Sequence, residues 1–143
     1  MMRDNARTPM QWDASPNAGF TTGTPWIKTN PNYPQINAAE QLGREDSVFH
    51  FYQKLIRLRH ENEIIVYGSY DLLSPEDPQL YAYTRTLDGQ KLLCVCNLTG
   101  RPAEYELPAE FAAGRQLIAV GQPVREENQV HLAPWDGFVL VNF

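Results

Sequence analysis

No apolar run in this sequence approaches the roughly 20 residues that a membrane-spanning helix requires, so no membrane partner is expected. The opening residues carry no apolar h-region, and no secretory signal is expected either. Positive charge is in deficit: 12 Lys and Arg stand against 17 Asp and Glu. No basic patch rises above that background, which argues against nucleic acid as a partner. Cysteine is scarce. Cys94 and Cys96 lie two apart, share a face if they sit on a strand, and are too close in sequence for an easy mutual disulfide. With no cluster of His or Cys around them they make a poor zinc site. They read as reduced core cysteines, which suits a cytoplasmic location. There are three histidines. His50 and His60 fall on different faces of one predicted helix, and His131 stands alone on a late strand, so solvated or packing roles are expected for all of them. No Ser-His-Asp set, phosphate loop or metal-ligand spacing is present, and neither cofactor nor metal is expected. The Asn97-Leu98-Thr99 sequon should be silent without a secretory signal.

What the chain does have is concentrated at its start. Arg3-Asp4-Asn5-Ala6-Arg7-Thr8-Pro9-Met10-Gln11-Trp12 places two arginines four apart, followed at once by proline and tryptophan. If Arg3 to Arg7 forms one helical turn, both guanidinium groups project from one face. Such a pair can hold a carboxylate or several hydroxyls with planar, fixed donor geometry. Asp4, between two arginines, should stay ionised, which makes it a poor general acid. Trp12 and Trp26 are either loop-packing residues or a platform on which a sugar ring stacks. The plainer alternative is that Arg3 and Arg7 pin the loop by bonding Asp4, Asp13 and backbone carbonyls.

The first 45 residues read as neither helix nor sheet. Prolines at 9, 16, 25, 31 and 34 punctuate them, and Trp12, Phe20, Trp26 and Tyr33 recur between the turns. Disordered segments are poor in aromatics, so an ordered irregular excursion is expected, with aromatics that pack on something else. A helix over about 46–61 follows. Asp46 or Ser47 can cap it, Val48, Phe51, Tyr52, Leu55 and Leu58 form its stripe, and Phe49 and Ile56 widen that stripe. So broad an apolar face wants a large partner.

Beyond about residue 64 the period changes to two. Leu80, Ala82 and Thr84 alternate with Tyr81, Tyr83 and Arg85, and Asp88-Gly89 signals a hairpin into Lys91–Leu98. Further strands are predicted near 68–73, 103–107, 116–120, 129–132 and 137–142. Short strands at this spacing argue an antiparallel sandwich. The boundary falls near residues 64–67.

The opening motif, with Asn17-Ala18-Gly19-Phe20-Thr21, Pro25-Trp26-Ile27, Asn30-Pro31-Asn32-Tyr33 and Ile36-Asn37, resembles the α-glucosidases of glycoside hydrolase family 13. The subgroup in view includes oligo-1,6-glucosidase, dextran glucosidase and trehalose-6-phosphate hydrolase. The helix from Ser47 to Arg59, Gly68-Ser69-Tyr70 and Tyr81-Ala82-Tyr83-Thr84-Arg85 are similar to theirs too. The resemblance implies a mainly β chain. Residues 1–66 would be the last loop and helix of a (β/α)8 barrel, and residues 67–143 an antiparallel β-sandwich, domain C. It implies a retaining two-carboxylate mechanism whose nucleophile and acid/base lie upstream of the motif, so no catalytic residue is expected here. Arg3 and Arg7 would line the sugar pocket. The implied partners are the remaining barrel portion of the parent enzyme and an α-glucoside. Left without that barrel, the N-terminal third should be mobile or covered by self-association.

Overall fold

The computed structural model describes residues 5–143, and Arg3 and Asp4 lie outside the described residues. The chain divides into two compact units between Arg57 and Leu58. The first is mostly irregular, as expected, and it is organised by side-chain amides. Gln11 Nε2 donates to Asn32 Oδ1 at 3.1 Å and also reaches the Ile36 carbonyl. Asn17 Nδ2 donates to the carbonyls of Thr21 (3.2 Å) and Gly23 (2.9 Å). Asn17, Ala18 and Gly19 all have positive φ, which folds the chain back so that Trp12 N reaches Ala18 O at 2.8 Å. Gly19 is required there, since a Cβ would stand 2.7 Å from the Asp13 carboxylate.

A five-residue helix, α1 (Ala38–Leu42), corrects the expectation of no helix before residue 45. Its local cause is Asn37, whose Oδ1 accepts from Glu40 N at 2.9 Å. The predicted helix is α2 (Val48–Glu61). Ser47 caps it, its Oγ accepting from His50 N at 3.3 Å, and Asn62 Nδ2 bonds the Leu58 carbonyl at its end. No residue of α2 is buried. Val48, Tyr52 and Ile56 are each more than half exposed, so the predicted stripe exists and stands uncovered.

The second unit begins with the last turn of α2, continues through α3 (Ile64–Tyr67), which the sequence did not signal, and then holds eight strands. These are β1 (Ser69–Leu72), β2 (Leu80–Leu87), β3 (Gln90–Asn97), β4 (Ala103–Glu106), β5 (Arg115–Val120), β6 (Val124–Glu126), β7 (Gln129–Leu132) and β8 (Gly137–Val141). They form two antiparallel sheets, β1-β2-β3-β8-β5 and β4-β7-β6. Asp88 and Gly89 both take positive φ, the conformation of the two-residue turn that matches strand twist, and Leu87 pairs with Gln90. β6 was not expected: three residues are too few to show a period.

The alternation read from β2 sets the layers. Leu80, Ala82, Leu93, Val95, Phe138 and Leu140 point toward Val130 and Leu132 of the smaller sheet, with Leu107 and Phe111 between them. On the outer face Leu92, Cys94 and Val141 pack with Ile64 of α3. The sandwich is therefore buried on one face and partly covered on the other, as a sheet carrying a short helix must be. Among the described residues no helix is long and apolar enough to cross a membrane.

Candidate functional site

A short 3-10 turn over Asn5–Arg7 delivers Arg7 into solvent. The chain then turns inward at Pro9, which is buried, and this reversal leaves a shallow hollow. Its lining includes Arg7, Pro9, Met10, Phe20, Trp26 and Ile27, and its volume is about 280 Å³. Trp26 is 85% exposed and Phe20 about half exposed. Arg7 has no hydrogen-bond or ion-pair partner among the described residues. The arrangement is a guanidinium fork beside two aromatic faces, which can donate to hydroxyls and stack on a sugar ring.

The sequence-predicted residues separate here. Arg7 and Trp26 come together in the hollow. Trp12 does not line it; its backbone is pinned instead, with Trp12 O accepting from Ala39 N at 2.9 Å. Arg3 lies outside the described residues. Met10, Phe20 and Ile27 complete the hollow and were not singled out as site residues, although the recurrence of aromatics through the loop was their signal.

Among the described residues no carboxylate lines the hollow. Of the two acids in the loop-pinning alternative, Asp4 lies outside the described residues and Asp13 is taken by Ser15. Its carboxylate accepts the Ser15 hydroxyl and the Ser15 N–H, the latter at 2.8 Å. Those bonds, the hydroxyl first, hold its pKa below the ordinary aspartate value, so it stays ionised and has no proton to give. Retaining glycoside hydrolysis needs two carboxyl groups about 5 Å apart across the scissile bond. Among the described residues the hollow supplies a guanidinium and aromatic faces and no such pair.

The histidines behave largely as expected. His50 Nδ1 lies 2.7 Å from the Arg44 carbonyl and 3.0 Å from Ser47 Oγ, at the start of α2. His131 does not stand alone: strand pairing sets it between Glu104 Oε1 at 3.4 Å and Glu126 Oε2 at 3.7 Å. Both acids come from neighbouring strands, which is why the linear sequence hid them. No group of three or more His, Cys, Asp or Glu among the described residues could hold a metal ion.

Two family models match in tandem. "Alpha amylase, catalytic domain" covers residues 1–68 and "Maltogenic Amylase, C-terminal domain" covers residues 70–139. The chain is 51% identical over 126 residues to an oligo-1,6-glucosidase of Halalkalibacterium halodurans, covering 88% of this chain and 22% of that protein. It is 41% identical over 141 residues to a trehalose-6-phosphate hydrolase of Bacillus subtilis, covering 96% of this chain and 25% of the relative. Among solved structures, the trehalulose synthase of Pseudomonas mesoacidophila superposes with a TM-score of 0.88 at 43% identity, over 97% of this chain and 26% of that one. The chain thus spans no more than about a quarter of the length of the curated relatives it matches.

Proposed function

The chain belongs to glycoside hydrolase family 13, and from that premise we propose that it acts as the C-terminal segment of an α-glucosidase cleaving α-glucosidic bonds of short oligosaccharides. In this reading Arg3 and Arg7 contact the sugar, and the β-sandwich steadies the barrel it follows. The functional boundary falls after residue 66. The chain alone is inactive. The observation that carries the reading is the hollow itself, where Arg7 and Trp26 face solvent and, among the described residues, no carboxylate joins them. One wall of a sugar site without bond-breaking groups is what such a segment would contribute. The partner is the remainder of the barrel, and the compartment is the cytoplasm. The apolar groove bordered by Pro9, Met10, Ile36, Val48 and Phe49 is a surface for that partner, and self-association covers it when the partner is absent.

The test has two arms. Purified chain incubated with p-nitrophenyl α-glucoside should give no release above a blank, and clear turnover would remove the claim of inactivity. The chain mixed with the separately produced upstream portion of a related oligo-1,6-glucosidase should restore turnover. Arg7→Ala in that mixture should cut kcat/KM by about ten- to a hundredfold, the usual worth of one charge-assisted bond. Unchanged kcat/KM would overturn the role of Arg7.

The exposure of Trp26 favours a second reading, a carbohydrate-binding module that works alone. It requires calorimetric heat with millimolar maltose or isomaltose and its loss in Trp26→Ala. A flat titration would remove it.

A further inference from the structure

The outer face of the five-stranded sheet carries an arginine without a counter-ion. Tyr81, Tyr83 and Arg85 alternate along β2, and Tyr70 and Leu72 of β1 stand opposite Arg85 and Tyr83, so all five side chains project from that face. Arg85 is part-buried, between the exposed Tyr70 on one side and the buried Leu92 on the other. Its Nη2 donates to the Gly68 carbonyl at 2.9 Å, which lays the guanidinium over the end of α3. Its Nε is buried and has no hydrogen-bond partner among the described residues. The ion pairs among those residues all lie elsewhere.

A part-buried positive charge with one bond to a neutral carbonyl and one orphaned donor is costly to keep. A carboxylate offsets such a charge, and a guanidinium fork matches it. The edge left for it is Nη1, which bonds nothing among the described residues and is not closed off as Nε is. The neighbours are already ordered. The Tyr83 ring lies 5.2 Å from that of Tyr70 and 5.5 Å from that of Tyr81, and the Tyr70 and Tyr81 hydroxyls are 2.9 Å apart. Tyr70, Tyr81 and Leu72 nonetheless stay exposed. Braced tyrosines beside an arginine are the side chains that protein interfaces favour at their centres. The rings tilt by 37° and 54° to one another, so they form no flat platform for a sugar.

Given the function proposed above, on which this rests, we propose that the face around Arg85 docks the upstream barrel portion, with a carboxylate of that portion held by the guanidinium. Most of each curated relative lies outside the stretch this chain matches, which supplies an occupant of the required size.

Isothermal calorimetry measures Kd between the chain and the separately produced upstream portion of a related oligo-1,6-glucosidase. Arg85→Met keeps a long side chain without its charge and should raise Kd at least about tenfold. Arg85→Glu should raise it further, because two carboxylates then face each other. Binding that Arg85→Met leaves unchanged, or equal weakening in the two variants, would overturn the role of this face and leave the proposed function standing. No binding by the unmodified chain would remove both together. The chain alone gives a second measurement. A guanidinium kept for a partner adds nothing to the free chain, so the urea midpoint of Arg85→Met should be equal or higher. A lowered midpoint would assign Arg85 to the fold instead. Self-association of the unmodified chain in sedimentation, abolished by Arg85→Glu, would give the face to a second copy and overturn the proposal.

Discussion

The Asn37 side chain joins α1 to the loop before it. Its Oδ1 accepts the Glu40 N–H at 2.9 Å, and its Nδ2 donates to the Tyr33 carbonyl at the same distance. One buried amide thus satisfies a helix donor and a loop acceptor together. Asn37→Ala should weaken the first unit by about 1–2 kcal/mol, from cap loss and an unpaired carbonyl. Amide hydrogen exchange across residues 30–42 reads the effect, and protection equal to that of the unmodified chain would refute it.

The matching device in the second unit is Asn97, which is 1% exposed. Its Nδ2 donates to Arg101 O at 2.7 Å and Ala133 O at 2.9 Å, and its Oδ1 accepts from Thr99 N at 3.1 Å. Replacement by Ala removes several part-buried hydrogen bonds at once, so urea denaturation should report a loss of about 3 kcal/mol. A loss below about 1 kcal/mol, the level of an ordinary surface change, would show that water substitutes for the side chain. The same burial gives the Asn97 sequon a structural reason to stay silent.

Gly121 has a φ of 69°, and a Cβ there would fall 1.7 Å from Asp136 Oδ1. Asp136 is buried, with its Oδ2 accepting the Ala133 N–H at 3.0 Å. Gly121→Ala therefore combines left-handed strain with displacement of a bonded carboxylate. The melting temperature should drop well beyond what Gly89→Ala produces, because Gly89 also has positive φ but nothing within 4 Å of its Cβ position. Equal shifts in the two variants would refute the steric part of the account.

Asp77 accepts the N–H groups of Leu80 (2.9 Å) and Gln79 (2.8 Å), and these bonds depress its pKa. A folded-state pKa below the unfolded one means stability that is present above the unfolded value and lost as pH falls through the folded one. The chain should therefore lose stability with acid below about pH 4, the ordinary aspartate range. Asp77→Asn should shallow that loss in melting curves taken across pH 2–6. A variant curve parallel to the parent's would exclude Asp77 as a contributor.

Much of the second unit was legible in local pattern. The alternation through Leu80–Arg85 and the Asp88-Gly89 dipeptide each specify a conformation within a few residues, and both are realised. Likewise Ser47 and the 3–4 spacing through Leu58 mark α2 within two residues of its bounds. The short elements escaped. α1 depends on one capping asparagine, and β6 is defined by pairing with β7 rather than by any period of its own.

The sequence by itself determined the longer elements, the apolar stripe on α2 and the family resemblance. Those are properties of residue type and near-neighbour spacing. Tertiary structure decided which distant residues meet. It placed Arg7 with Trp26, set Glu104 and Glu126 on either side of His131, left Trp12 outside the hollow, and fixed Cys94 and Cys96 between paired strands. Such meetings depend on strand order and chain reversals. These are settled by burial of the whole core, and no local window of sequence contains them.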